Sequence, residues 1–484
     1  MKMKSSSTIF NFFSLITIAA GLLCLTNPVH SDSMTIEPAS SWQLRGTANV
    51  VVASGDTVFV GGNFTEIYND NGGSLPRHYL AALNRHTGEP TSFAPNLDGE
   101  VWALAMSPDR KTLYVGGSFL KAESLSRKHI AAYNVQTGAL TTLVTPNPNG
   151  ALRTIAVANN KVYIGGLFTK IGYENRPYLA AFDPATGDLD TSFTPTPNAR
   201  VRTLVATGNR LWIGGDFTQV NGKKQRGVGA VNPTSGALQI TDDVAYPVIA
   251  LASSDTQLFI AGGGPGGRAA AFNQNTGIEQ WEISSDGNFQ AVDVESGDYV
   301  YFGGHYEAIE GNKNIDRLTR HSKRTGKTDL SWLPRLNGMR SINAIDVTSD
   351  AVHIGGDFTQ VYAQSHEGFA TFPKTKRENE TTETISPTNT VQGTLDKNLS
   401  KGPRWVRLRF NTRTSGMHQI NMSWDSDSDV RYNVFNADGT RLSSTVQGSK
   451  PGVWSGWLAS NQKYYIGLWT MDGVANYQAS ITAK

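Results

Sequence analysis

Cysteine is nearly missing: the 484 residues hold one, Cys24, so no internal disulfide can staple the fold. Runs of one charge sign are missing too, which excludes nucleic acid as the expected partner. Beyond residue 31 no apolar stretch reaches the roughly 20 residues that a membrane helix needs. There is no Gly-x-Ser-x-Gly elbow, and His78, His86, His129, His305, His321, His353 and His366 show no metal-ligand spacing. The familiar hydrolase and metalloenzyme signatures are therefore absent, although a catalytic set assembled from distant repeats would leave none.

Residues 1–31 read as an export signal. Lys2 and Lys4 precede an apolar stretch from Ile9 to Leu25, Asn27-Pro28 break it, and Val29-His30-Ser31 supplies a cleavage-type end. Polar Asn11 and Ser14 argue against a retained anchor, and Leu23 before Cys24 argues against a lipoprotein. Cleavage takes Cys24 and two of the 43 basic residues, leaving 41 against 41 acidic ones. The expected setting is secreted, periplasmic or cell-envelope, with no membrane span after signal removal.

What the chain has in excess is glycine, 49 residues, and much of it recurs in one motif. VFVGGNFT from Val58 is followed by LYVGGSFL from Leu113, VYIGGLFT from Val162 and LWIGGDFT from Leu211. LFIAGGGP from Leu258, VYFGGHYE from Val300 and VHIGGDFT from Val352 complete the series. The first glycine position falls at 61, 116, 165, 214, 261 (an Ala), 303 and 355, so the period is 42 to 55 residues. Each repeat divides into four alternating stretches, with a Thr/Ser-Gly hairpin turn such as Thr137-Gly138 before the last. The spacing predicts an all-β fold, a seven-bladed β-propeller over residues 32–373. The seventh repeat lacks its fourth strand, whereas SSWQLRG at Ser40–Gly46 resembles the fourth-strand endings LSWLPRLNG and TSFAPNLDG. The N-terminal segment is expected to complete blade seven and so hide both open edges. In its VYIGGLFT-R-LAAF-TG-L-F-P pattern the chain resembles the delta-60 repeat propellers of bacterial secreted proteins. It is similar as well to the luminal propellers of fungal cortical polarity-marker proteins. The resemblance covers about Ser40 to Pro373 and implies a fold and an envelope or extracellular setting, but no reaction.

Residues 374–390 are charged and Thr-rich, a linker. Residues 391–484 hold five of the ten Trp and alternate clearly in WVRLRF, HQINMSW, VRYNVF and YYIGLW, which predicts a small β-sandwich. In the order SGMHQINMSW, VRYNVF, NADGTRL, YYIGLW and ANYQASI this part resembles the bacterial pre-peptidase C-terminal domain. That resemblance implies a secreted accessory module, in some members binding calcium or polymers.

Candidate sites follow from departures from symmetry. Arg77, Arg127, Arg176, Arg226, Arg268 and Arg317 recur in six repeats, as bracing residues do, although a ring of guanidiniums could also meet an acidic glycan. Repeat five replaces the motif by a glycine-rich loop with Gly264 and Gly266, whose amides suit an anion, and repeat six carries His305, Tyr306 and Glu307. Alternation places Trp405, Tyr465 and Trp469 outward if Val406, Leu408, Ile466 and Leu468 face the core; exposed rings stack on sugars, and two-sided burial explains them equally. Asp425, Asp427 and Asp429 put three carboxylates within five residues, a candidate Ca²⁺ site without the twelve-residue calcium loop. The expected function is a monomeric, non-catalytic binding or scaffold protein presenting propeller loops to a glycan, a polysaccharide or a cell-surface protein. The alternative is a polysaccharide hydrolase or lyase working in the channel.

Overall fold

The computed structural model describes residues 42–375 apart from 143–145, 240, 314, 340–341 and 362–363. It also describes the segments 33–34 and 38–39 and the strand segments between 384 and 483. Among the described residues every regular element is a strand.

Among the described residues seven antiparallel sheets of three or more strands follow one another from Gln43 to Thr375. Their inner strands are Gln43–Ser54, Val101–Met106, Leu152–Ala158, Val201–Thr207, Val248–Ser253, Phe289–Val294 and Ile342–Val347. Each packs beside the next, and the last packs beside the first, so the cycle is closed. In every sheet the Gly-Gly strand lies second, paired to the inner strand on one side and to a third strand on the other. Apolar residues of adjacent sheets mesh to form the core, as where Tyr114 and Ala103 of the second sheet join Ile155 and Ile164 of the third. That burial is the main stabilising term of a ring that has no cross-links.

The Gly-Gly pair has two separate causes. The first glycine of each pair faces the next sheet. A Cβ on Gly165 would stand 2.9 Å from Val201 Cγ1, on Gly214 2.7 Å from Val248 Cγ1, and on Gly355 2.7 Å from Ala48 Cβ. The second glycine lies opposite a β-bulge. In all seven inner strands the register skips one residue at the same level, between Ala48 and Val50, Val101 and Ala103, Leu152 and Thr154, and so on to Ile342 and Ala344. The bulge pushes a carbonyl towards the glycine, so a side chain on Gly117 would overlap the Glu100 oxygen and one on Gly304 the Asn288 oxygen.

The hairpin turns are built as the sequence implies. Asn134 Oδ1 accepts from the N–H groups of Gln136 and Thr137 at 3.0 and 2.9 Å, and Gly138 takes φ +71°. The outer strands are less regular than four clean strands per repeat. The fourth strand is continuous in the fifth sheet, Glu279–Ser285, but shrinks to one bridge in the first, second, third and sixth, such as Tyr133 with Leu140. Proline explains the contrast: Pro90, Pro95, Pro146, Pro148, Pro195 and Pro334 fall in or just after those segments, and none falls in Glu279–Ser285. Proline has no N–H to give to a ladder.

At the seam between last and first sheets, Ser33 and Met34 pair with Thr375 and Lys374, and Ala39 N–H donates to Thr371 O at 2.8 Å. The strand added to the last sheet is thus upstream of Ser40–Gly46. Trp42 and Leu44 are buried, and Leu44 pairs with Ile67 as Leu97 does with Ala122. Glu367 fastens the join, accepting from Gly46 N–H at 3.0 Å and Tyr68 Oη at 2.8 Å.

The C-terminal strands form two sheets, one ordered Thr384–Ile385, Trp405–Asn411, Lys463–Thr470, Val430–Asn436 and Val446–Gly448. The other is ordered Val391–Asp396, Val474–Ala483, Gly416–Trp424 and Gly452–Leu458. Ile420, Met422, Ala479 and Ile481 of one sheet share a core with Val430, Tyr432, Ile466 and Leu468 of the other.

Candidate functional site

The bulges do more than admit glycine. Each re-aims the skipped residue, and the seven skipped residues lie at one level around one end of the ring: Asn49, Trp102, Arg153, Arg202, Ile249, Gln290 and Asn343. The side chains there are not alike. Asn343 Nδ2 donates to Ala48 O at 3.1 Å and Asn49 Nδ2 to Val101 O at 3.2 Å, each bracing the next sheet. On sheets two to four the same level carries an aromatic ring and two guanidiniums. The Arg153 guanidinium lies 3.6 Å over the Trp102 ring, and Trp102 Nε1 donates to Glu100 Oε2 at 2.8 Å. Arg202 Nε pairs with Asp216 Oδ1 at 2.8 Å, and Arg200 pairs with the other oxygen of the same carboxylate. Burial pushes the Asp216 carboxyl up, but the hydrogen bonds from Arg202 and Arg200 prevail and hold it below its usual range. Arg153 is pushed down, by burial first and then by Arg200 and Arg202. Three cations therefore share one end of the ring with Asp216 and Glu100.

Residues 80–225, which contain this cluster, match the family model of the Rax2 C-terminal beta propeller domain. The chain is a β-propeller. Its matched segment is related to the propellers of fungal polarity-marker proteins. The solved structure of U3-55K is similar to the chain at a TM-score of 0.47 and 12% identity, over 70% of this chain and 100% of that one. No curated protein matches the chain.

Two carboxylates stand further along the propeller's inner strands. Asp293 accepts from Val347 N–H at 2.6 Å and Asp346 from Ala53 N–H at 3.1 Å, so each satisfies a backbone donor of the next inner strand. Burial raises the Asp293 carboxyl to about 6, against the pull of two N–H groups and Lys374. Burial and then the neighbouring Asp293 raise Asp346 to about 8. Both groups hold a proton more tightly folded than unfolded, so the folded state loses stability as pH rises from about 4 towards 8. Asp346→Asn keeps an acceptor for Ala53 and removes the charge. Its melting temperature should match wild type near pH 4 and exceed it increasingly up to pH 9. Parallel melting curves across that range would refute the raised carboxyl.

The residues singled out from sequence are scattered. Tyr306 is not a ligand group. It is fully buried in the slot filled by Phe64, Phe119, Phe168, Phe217 and Phe358, and its hydroxyl donates to Phe302 O at 2.8 Å beside Thr319 Oγ1. Glu307 is exposed and pairs with Arg317 at 2.8 Å. His305 alone of that trio reaches the ring mouth, with Nδ1 3.3 Å from Gln290 Nε2 and Nε2 accepting from Asn288 N–H at 3.3 Å. The glycine-rich loop is not an anion cradle by its first amides: Gly263 N–H donates to Pro247 O and Gly264 N–H to Asn288 Oδ1, both near 3.1–3.2 Å. Gly264 and Gly266, at φ +129° and +77°, turn a short hairpin that omits the two-strand excursion of the other repeats, as in Lys121–Ala122 with Leu125–Ser126. That omission accounts for the 42-residue spacing.

The recurring arginines brace locally. Arg77, Arg127 and Arg176 donate to nearby carbonyls, Arg226 pairs with Asp243, Arg268 with Glu282, and Arg317 with Glu307 and Leu336 O. Register sets Trp405 opposite Trp469 and puts positions 405, 465 and 469 on one face, opposite Tyr464, Ile466 and Leu468, which are buried; the side chains of the first three lie outside the described residues. Asp425, Asp427 and Asp429 also lie outside them, and among the described residues no three metal-binding side chains gather. A cavity of about 30 Å³ at the closure seam, bordered by Ala39, Arg85, His86 and Phe369, has room for little more than a water.

Sequence reading missed Trp102, Arg153, Arg200, Arg202 and Asp216. The signal was there in the columns of the repeat: the residue after the first inner-strand apolar residue varies from Asn through Trp and Arg to Gln, while the residue before it stays apolar.

Proposed function

We propose that the protein is an exported, non-catalytic binding or scaffold protein that presents one mouth of a seven-bladed propeller to a glycan or protein partner. The observation that carries this reading is the unequal ring of bulge residues, polar and cationic on one side, set on a frame that is otherwise repetitive. Binding residues placed on a rigid repeat scaffold are the usual way such frames acquire function. Residues 1–31 serve as the cleaved signal, 32–373 as the delta-60 type propeller, 374–390 as linker and 391–484 as a pre-peptidase-like sandwich. Secretion or residence in the periplasm or envelope follows from the signal. A screen of glycans and polysaccharides, read for both binding and reducing-end release, tests the reading; release without retained binding would replace it.

The second reading, a polysaccharide hydrolase or lyase, is favoured by one pair. Asp293 and Asp346 are interacting buried carboxyls, both raised above the usual carboxylate range, and such a pair can share a proton between an acid and a base. Both are tied to main-chain N–H groups, which supports the structural role first. Under the enzymatic reading Asp346→Asn abolishes release of reducing ends.

Calcium binding by Asp425, Asp427 and Asp429 belongs to the same proposal. Calcium should then raise the melting temperature of the wild-type chain and leave an Asp427→Asn/Asp429→Asn variant unmoved. Equal wild-type curves in calcium and in chelator would remove the site.

A further inference from the structure

Arg153 is an anomaly of charge. Among the described residues its side chain makes no hydrogen bond and no ion pair, and its Nε is buried without an acceptor. A guanidinium does not shed its charge at any ordinary pH, so partial burial beside Arg200 and Arg202, offset only in part by Glu100, is a standing cost. Arg153 stacks on Trp102, its guanidinium carbon 3.6 Å from the ring centroid, at the level of the bulge residues. The adjacent Arg200 and Arg202 share the single carboxylate of Asp216, and Glu100 is engaged by the Trp102 indole rather than by Arg153. Three cations against so few carboxylates make a place suited to an anion.

We propose that Arg153, Arg200 and Arg202 bind the carboxylate of an acidic polysaccharide, a chain of uronic acid units, at the mouth of the propeller. This rests on the binding reading above and names its substrate class. A flat two-oxygen anion matches the guanidinium fork, and a charge-assisted pair is stronger than a neutral one. The rest of the ring favours a sugar chain over an acidic peptide. At the same level Gln290, Asn343 and Asn49 bear neutral amides that are in part spent on bracing, and such groups suit hydroxyls better than they suit further charge; of the other four positions Ile249 alone is apolar.

The test is titration calorimetry of the full chain with a galacturonate oligomer and with its methyl ester, which has the same shape without the charge. The acid form binds, the ester binds at least about tenfold more weakly, and added salt weakens only the acid. Arg153→Gln lowers affinity for the acid at least about tenfold and leaves the melting temperature within a few degrees. If that variant fails to fold, Arg200→Gln carries the same expectation. Equal binding of acid and ester, or wild-type affinity in both variants, overturns the carboxylate site while leaving a glycan-binding protein in place. Tighter binding of polyglutamate, or inorganic phosphate binding as well as the oligomer, overturns the sugar source. If neither oligomer nor any glycan of the screen binds, the inference falls together with the reading it rests on.

Discussion

Removing residues 33–46 should lower the melting temperature of the chain by about 10 °C or more and make unfolding irreversible. The segment contributes the strand beside Lys374 and Thr375 and the bond from Ala39 to Thr371. It also contributes Trp42 and Leu44, both buried, and a bond from Leu44 N–H to Glu367 O at 2.9 Å. Two buried side chains of that size are together worth about 3–6 kcal/mol, before hydrogen bonds are counted. At about 2 °C or more per kcal/mol that is a large shift. The loss does not stop there. Phe369–Thr375 becomes an open sheet edge, and an open edge pairs with other chains. Gln43 also leaves Glu367 N–H without the side-chain acceptor it has at 2.8 Å. A scanning calorimetry trace within two degrees of the intact chain would show that closure does not depend on the N-terminal segment. Trp42→Ala, which keeps the backbone strand, separates packing from pairing.

The architecture was legible because one packing constraint is imposed seven times. Whatever keeps Gly165 clear of Val201 keeps Gly214 clear of Val248, so the spacing of glycines reports the repeat of sheets directly. The site was not legible for the opposite reason. Trp102, Arg153 and Arg202 acquire their direction from a bulge, and a bulge is a property of register between two strands that no single stretch displays. Tyr306 misled because it departs from the Phe of the motif, whereas it fills the same buried slot and a carbonyl and Thr319 satisfy its hydroxyl inside the core. Histidine was similarly ambiguous. His321 is buried between Thr319 Oγ1 at 2.8 Å and Gly326 O at 2.9 Å, and burial lowers it to about 4, so it is a neutral packing residue. Departures from a repeat identify a site only after the core positions have been subtracted, and subtraction needs the register.

Within each Gly-Gly pair the second glycine should be the less replaceable. A Cβ on Gly117 would overlap the main-chain oxygen of Glu100, and Val101 Cα stands 3.0 Å away. No rotamer change relieves a clash with backbone, so Gly117→Ala must either flatten the bulge or part the two strands. Flattening the bulge would slip the register on one side of it and turn Ala103–Met106 to the other face, exposing Leu104. The expected loss is about 3 kcal/mol or more, in the range where single substitutions become exceptional. The first glycine meets side chains instead. On Gly116 the nearest atoms are Ile155 Cδ1 at 3.0 Å, which a rotation moves, and Leu152 Cβ at 3.2 Å, which a shift of a few tenths of an ångström relieves, and the fifth repeat already carries Ala261 at that position. Gly116→Ala should therefore cost about 1 kcal/mol, less than half as much. Because the bulge aims Trp102 under Arg153, Gly117→Ala should also remove the stacked pair and with it any acid-selective binding, whereas Gly116→Ala should not. Urea unfolding of the two variants side by side decides the matter: equal losses, or a larger loss at Gly116, would mean that the bulge is not what the second glycine is for.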